Sequence, residues 1–360
     1  MQARPPPLQA VLRAALTLLL ALAAALLCVT LRTPVPWMIG PLLATAVASV
    51  LGAPTRSWGP LRNAGQWLIG TALGLYFTPQ VTALVASLWW AIALSIVWAL
   101  GLGWAFGLWL HRGHAARIGG TEAQQRATTY FAAAIGGASE MTLLAEREQG
   151  RADLVAAAHS LRLLIVTLGV PFAFSFTGIH GADVAFTSAR IVQWPGLAAL
   201  GAATAAGAWL MQRSGRGNPW FMGALLVAMG ITMAGVQLSA LPQWLTNAAQ
   251  LVIGVSLGVR FRAEFLRTAP RWLGSVALGS VGMVLLCAGF ALLLAWVTGL
   301  HWATMVLGTS PGGIAEMAIT AKALQLGVPV VTAFQVCRLV AVLVMVEPLF
   351  NRLYGRRSVR

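Results

Sequence analysis

The chain has 360 residues, of which 58% are hydrophobic and only 9% charged, and its formal net charge is +15. A soluble domain carries about 25% charged residues, so this composition excludes a soluble globular enzyme or a free DNA-binding domain and indicates a polytopic membrane protein. The surplus of arginine then reads as cytoplasmic loop charge, and the longest polar stretch, His111 to Arg126, is too short to fold alone as a basic nucleic-acid-binding unit.

At the start, Arg4 and Arg13 precede a long apolar run with no small-residue cleavage site leading into polar sequence. It is read as an uncleaved first transmembrane helix at about 11–31. Further helices are expected at about 36–52, 63–79, 83–110 and 152–177. Between the last two lies a shorter apolar piece, about 128–145, with "IGGASEM" in its middle. The second half reads alike, with helices at about 190–211, 218–236, 243–260, 271–298 and 326–350 and a short piece at about 303–320 containing "PGGIAEM". Pro36 and Pro219 suit the first turn of a helix. Trp37, Trp58, Trp194, Trp220 and Trp244 lie near helix ends and read as interface anchors. Cys28, Cys287 and Cys337 sit in apolar segments without metal-ligand spacing and read as small buried hydrophobes. His111 and His114 form the only close histidine pair and read as a solvated face of a basic loop.

The halves are copies. "PWMIGPLL" at Pro36 returns as "PWFMGALL" at Pro219, Gly70 and Gly74 match Gly254 and Gly258, and "GGASEM" from Gly136 returns as "GGIAEM" from Gly312. Arg162 and Arg338 each follow the motif glutamate by 22 residues. Two repeats result, 1–180 and 181–360. Loop charge sets their orientation. If the short pieces dip in and return, each half crosses five times, the second is inverted, and most of the 24 Lys and Arg share the side of the N-terminus. Arg4, Arg56, Arg62, Arg112, Arg213, Arg216, Arg260, Arg262, Arg267, Arg352, Arg356, Arg357 and Arg360 are among them. If the pieces cross fully, "RFRAEFLRTAPR" moves outside and the bias is largely lost. The expected fold is therefore an all-α polytopic membrane protein, an inverted 5+5 transmembrane repeat with two re-entrant segments; a broken helix in place of each hairpin stays open.

Glycine pairs at membrane depth let the chain reverse and bring backbone N–H groups to a ligand. The candidate site residues are Gly136, Gly137, Ser139, Glu140 and Arg162 in the first half, with Ser310, Gly312, Gly313, Glu316 and Arg338 in the second. Glu140 and Glu316 are two of three acids placed in apolar segments, the third being Glu347. An intramembrane carboxylate is costly and reads as functional. The obvious pairings are Glu140 with Arg162 and Glu316 with Arg338, either as structural ion pairs or as site groups that part during transport. Hydroxyls flanking the glycines, such as those of Thr142 and Thr309, more often bond to nearby backbone. His159 stands one turn before Arg162, where the second half has Gln335, and reads as a packing residue rather than a proton relay.

The duplicated Pro-Trp-x-x-Gly, the Gly-Gly-x-x-Glu-Met pair and the trailing arginines together resemble the AbrB-duplication family of bacterial inner-membrane proteins, from about Pro34 to the C-terminus. The family carries the labels regulator of gene expression and putative ammonia monooxygenase, neither of which follows from these residues, and it is unrelated to the small soluble DNA-binding regulator of the same name. The glycine-rich pieces are also similar in style to the re-entrant loops of glutamate and citrate symporters. The leading expectation is a secondary transporter of a small solute drawn by the arginines, with the glutamates carrying protons. A membrane regulator acting through a sensed ligand or partner is the alternative. An oxygenase ranks low, since the histidines and acids form no ligand set for copper or iron. No cofactor, metal or direct nucleic-acid contact is expected. The partners expected are the lipid bilayer and a small solute or ion, with a homodimer left open and both termini cytoplasmic.

Overall fold

A computed structural model describes residues 8–176, 191–215, 218–261 and 270–354. Arg4, Arg216, Arg262, Arg267, Arg356, Arg357 and Arg360, which enter the loop-charge argument, lie outside the described residues. The described residues form fifteen helices and no strand.

Five helices are long and apolar enough to cross a membrane: α1 (Leu8–Thr30), α5 (Trp89–Ile118), α8 (Ala152–Phe176), α12 (Pro270–Thr298) and α15 (Val328–Tyr354). Their lengths meet the roughly 20 residues that a hydrocarbon core of about 30 Å requires. Several carry exposed leucines, such as Leu12, Leu16 and Leu19 on α1 and Leu278, Leu285 and Leu292 on α12. An apolar surface of this extent suits lipid, not water. The chain is thus an all-helical, multi-pass membrane protein.

The other expected crossings are shorter than their sequence suggests. α2 (Pro36–Val50) and α10 (Pro219–Met233) have 15 residues each, or about 22 Å. Pro36 and Pro219 open them, as expected, behind N-cap residues Val35 and Asn218 that both take left-handed backbone, with φ of 46° and 50°. The helix expected at 63–79 ends early. α3 (Gly59–Gly74) stops, the chain turns, and α4 (Pro79–Ser87) leaves at 87° to it. Proline disfavours helical backbone at the preceding Thr78 and itself suits a helix start, which places the break.

The helices gather into two compact units. The first holds α1, α2 and α3 with α9 (Trp194–Arg213), α10 and α11 (Gln243–Gly258). The second holds α5, α6 (Glu122–Ala133), α7 (Ala138–Arg147), all but the last turn of α8, α12, α13 (Trp302–Thr309), α14 (Ile314–Ala323) and α15. Each unit draws on both sequence repeats, so the duplication and the spatial units divide the chain differently.

Glycine explains how the repeats interlock in the first unit. α3 packs on α10 and α11 packs on α2. A Cβ on Gly70 would strike the Phe221 carbonyl of α10; one on Gly254 would lie 2.5 Å from the Met38 carbonyl of α2. Gly74 and Gly258 are hemmed in one turn later, by Ala228 and Thr45. These are small-xxx-small contacts, in which two backbones approach closely because no side chain intervenes. Trp67 ties α3 to α9 through a 2.9 Å bond from Nε1 to the Thr204 hydroxyl.

In the second unit α5 packs on α6, α12 and α15, while α13 and α14 lie on α15. The Tyr130 hydroxyl of α6 donates to the Val346 carbonyl of α15 at 3.0 Å, and the rings of Tyr130, Phe131, Phe350 and Tyr354 pack around that bond at tilted angles. The region read as a basic loop is corrected here. α5 runs on to Ile118, and His114 is buried on it, bonded to the Ser275 hydroxyl at 2.8 Å and edge-on to Trp272. Arg112 and Arg117 take the exposed face, so one helical turn separates charge from core. Of the cysteines, Cys287 is buried, Cys28 intermediate and Cys337 exposed. Trp58, Trp194 and Trp244 are exposed, as an interface position requires.

Candidate functional site

Each short apolar piece is a helix, a break and a second helix. α6 starts with a capping box, in which Thr121 and Gln124 satisfy each other's backbone N–H. It ends at Ala133, and α7 begins at Ala138 with Gly137 as its N-cap. In the other repeat α13 ends at Thr309 and α14 begins at Ile314 behind Gly313. Both breaks lie at the glycine pairs.

The repeated motif has a geometric reason. With Gly137 and Gly313 as N-caps, Glu140 and Glu316 fall on the third helical residue, and each carboxylate folds back over its cap. A Cβ on Gly137 would strike Glu140 Oε2, and one on Gly313 would strike Glu316 Oε2. The first glycine of each pair makes room for the methionine, since a Cβ on Gly136 or Gly312 would come within 2.8 or 2.9 Å of the methyl of Met141 or Met317. Both methionines are fully buried. Each carboxylate therefore sits by the positive N-terminal end of its half-helix, where an anion is favoured. Glu140 is half-buried and Glu316 is buried.

The arginines serve the opposite helix ends. Arg162 of α8 donates to the carbonyls of Ala133 (3.2 Å) and Ala134 (2.9 Å), where α6 stops. Arg338 of α15 donates to the carbonyls of Ser310 (2.5 Å) and Gly312 (2.9 Å), where α13 stops. The last carbonyls of a helix have no intrahelical partner and carry partial negative charge, so a guanidinium suits them. The pairings expected from sequence, Glu140 with Arg162 and Glu316 with Arg338, are not formed. Each glutamate is held over its own N-cap while the guanidinium turns to the preceding half-helix. The ion pairs between described residues are Arg126–Glu122 and Arg151–Asp153, both away from the breaks.

A second layer fixes the arginines. His159 Nε2 lies 2.8 Å from the Phe131 carbonyl, and its Nδ1 lies 2.8 Å from Arg162. A carbonyl only accepts, so Nε2 carries the hydrogen and Nδ1 accepts from the guanidinium. Gln335 does the same in the other repeat: Nε2 donates to the Leu307 and Ser310 carbonyls, and Oε1 accepts from Arg338 at 2.6 Å. His159 and Gln335 are thus interchangeable in role, which sequence reading missed; the signal was their shared position three residues before the arginine. The Ser310 hydroxyl donates to the Val306 carbonyl at 2.6 Å, and Thr142 and Thr309 likewise bond back into their own helices. Ser139 lies in the first turn of α7 and is exposed.

All ten of these residues therefore lie in the second unit. Among the described residues no three His, Cys, Asp or Glu side chains gather as a metal ion would require.

A family model described as transition state regulatory protein AbrB matches residues 37–354. Similar chains are "Uncharacterized protein YhjN" of Bacillus subtilis, 26% identical over 88% of this chain and 87% of its own length, and "Putative regulator AbrB" of Escherichia coli, 26% identical over 86% and 87%. No solved structure matches. The match spans nearly the whole sequence, and the chain belongs to the AbrB family.

Proposed function

We propose that this AbrB-family chain is a secondary transporter of a small solute, with its site formed by the two broken segments α6–α7 and α13–α14. The observation that carries the reading is the pair of equivalent helix breaks in one compact unit, each with an arginine on one half-helix and a glutamate on the other. Interrupted helices inside a membrane protein are tolerated where they line a cavity or a binding site, and paired interruptions in internal repeats are a transporter arrangement. Buried ionisable groups in such segments mark solute or ion pathways. In this reading the repeats are inverted, the segments are re-entrant and enter from opposite faces, and both termini are cytoplasmic in a bacterial inner membrane. Glu140 and Glu316 carry coupling protons.

The test is flux into proteoliposomes across a panel of small organic acids. Transport is expected, and Glu316→Gln and Arg338→Gln are expected to impair it. No transport of any panel member by the parent, or unchanged transport by both variants, would contradict the proposal. The name of the Escherichia coli relative, putative regulator, favours a second reading: a membrane protein that alters gene expression indirectly through a bound solute. A deletion that changes transcription while the purified protein moves nothing would select it.

A further inference from the structure

The first unit has a one-sided charge. Its described residues include Arg13, Arg32, Arg56, Arg62, Arg213 and Arg260 but no aspartate or glutamate. The ion pairs between described residues join Arg126 to Glu122 and Arg151 to Asp153, so Arg56 and Arg62 enter none.

Arg56 borders a groove of about 200 Å³ between α1, α3 and α11. Leu18 of α1, Leu61 of α3 and Val252 of α11 give it an apolar wall, and Arg56, Ser57 and Trp58, the residues just before α3, add its polar groups. Further along α1, Ala21 and Ala25 close on Leu251 and Val255 of α11. The groove lies one to two turns nearer the start of α1, at Leu18 and Ala14. The segment that carries Arg56 is tied to α1, because the Arg56 N–H donates to the Thr17 hydroxyl at 3.1 Å. Trp58 is 53% exposed, as a residue at the membrane interface is. α3 begins behind it with no side-chain cap and no acid in its first turn, so the positive end of that helix is unanswered.

We propose that this groove binds one anionic phospholipid of the surrounding bilayer. Its phosphate lies against Arg56 and the open start of α3, and one acyl chain lies along Leu18, Leu61 and Val252. A free anion would answer the charge and leave the apolar wall bare, whereas a neutral lipid would cover the wall and leave the charge. Guanidinium matches a phosphate in fork geometry, and basic pockets between membrane helices take acidic headgroups. Such a lipid bridges α1 and α3 of the first repeat to α11 of the second. The inference goes beyond the transport reading and does not depend on it.

The experiment titrates delipidated protein in a neutral detergent with phosphatidylglycerol, with phosphatidylcholine and with glycerol phosphate, which has the phosphate but no acyl chains. Native mass spectrometry counts bound lipid, and the thermal midpoint reports its affinity. Saturable stabilisation by phosphatidylglycerol is expected, with phosphatidylcholine weaker by about fivefold or more and glycerol phosphate without effect. Arg56→Gln should weaken phosphatidylglycerol by about fivefold or more, and Ala14→Phe, which keeps every charge and fills the groove, should weaken it as well. Arg213→Gln is the control: Arg213 belongs to the same unit but stacks on Trp209 at 3.7 Å and does not line the groove, so affinity should stay at the parent value. Arg56 is exposed and precedes the helix, so Arg56→Gln tests the proposal even if Ala14→Phe fails to fold. Equal affinity for the two lipids, the same response to glycerol phosphate as to phosphatidylglycerol, or equal losses in Arg56→Gln and Arg213→Gln overturns the proposal.

Discussion

Replacing Gly254 by alanine is expected to destabilise the protein although alanine is the better helix former. The added Cβ would lie 2.5 Å from the Met38 carbonyl oxygen and 3.0 Å from Pro41 Cβ, where ordinary contacts begin near 3.4 Å. The obstacle is backbone and a proline ring, neither of which can rotate away, so α11 must retreat from α2. Overpacking of this kind costs about 1–3 kcal/mol, and alanine returns up to about 1 kcal/mol of helix propensity. With the full propensity gain the net loss is up to about 2 kcal/mol. Gly282 on α12 supplies the control, because a Cβ there meets nothing within 4 Å; alanine at that site should be neutral or stabilise by up to about 1 kcal/mol. Thermal unfolding in one detergent, followed by tryptophan fluorescence, compares both with the parent. A Gly254→Ala change that costs no more than Gly282→Ala would refute the close-packing argument.

Other substitutions separate the roles assigned at the helix breaks. His159→Gln should fold like the parent, because Gln335 performs the same two bonds in the other repeat, whereas His159→Leu orphans the Phe131 carbonyl and should cost about 1–3 kcal/mol in the same melt. Tyr130→Phe removes the bond to the Val346 carbonyl and should cost about 1 kcal/mol; no loss would mean that the ring contacts alone hold α6 to α15. The atoms nearest a Cβ on Gly313 belong to the movable carboxylate end of Glu316, so for Gly313→Ala stability should change by less than about 1 kcal/mol. Proteoliposome flux should nonetheless fall, as the displaced carboxylate leaves its place over the cap.

Much of this was readable from sequence because lipid imposes length and apolarity together. The five long helices follow from their runs, and the breaks follow from the glycine pairs at Gly136 and Gly312. What escaped was whatever depends on a neighbour. Gly70 and Gly254 announce a close contact without naming the helix that makes it, and that helix belongs to the other repeat. "HRGH" looked like loop because its charges and glycine outweigh its apolar face; only Ser275 and Trp272, about 160 residues away in the chain, show why His114 turns inward. Opposite charges at a fixed spacing suggested that Glu140 pairs with Arg162. The end of α6 competes for that guanidinium, and its carbonyls appear only once the break is placed.

The central claim is that the two broken segments are equivalent halves of one site, reached from opposite faces of the membrane. Cysteine labelling tests it most directly, in a protein whose Cys28, Cys287 and Cys337 are first replaced by alanine. Single cysteines then go to Ser139 and Ala315, equivalent positions in the first turns of α7 and α14. A membrane-impermeant thiol reagent is applied to right-side-out and inside-out vesicles. The account predicts that Ser139→Cys reacts from the cytoplasmic face and Ala315→Cys from the opposite one. Reaction of both from the same face would contradict it.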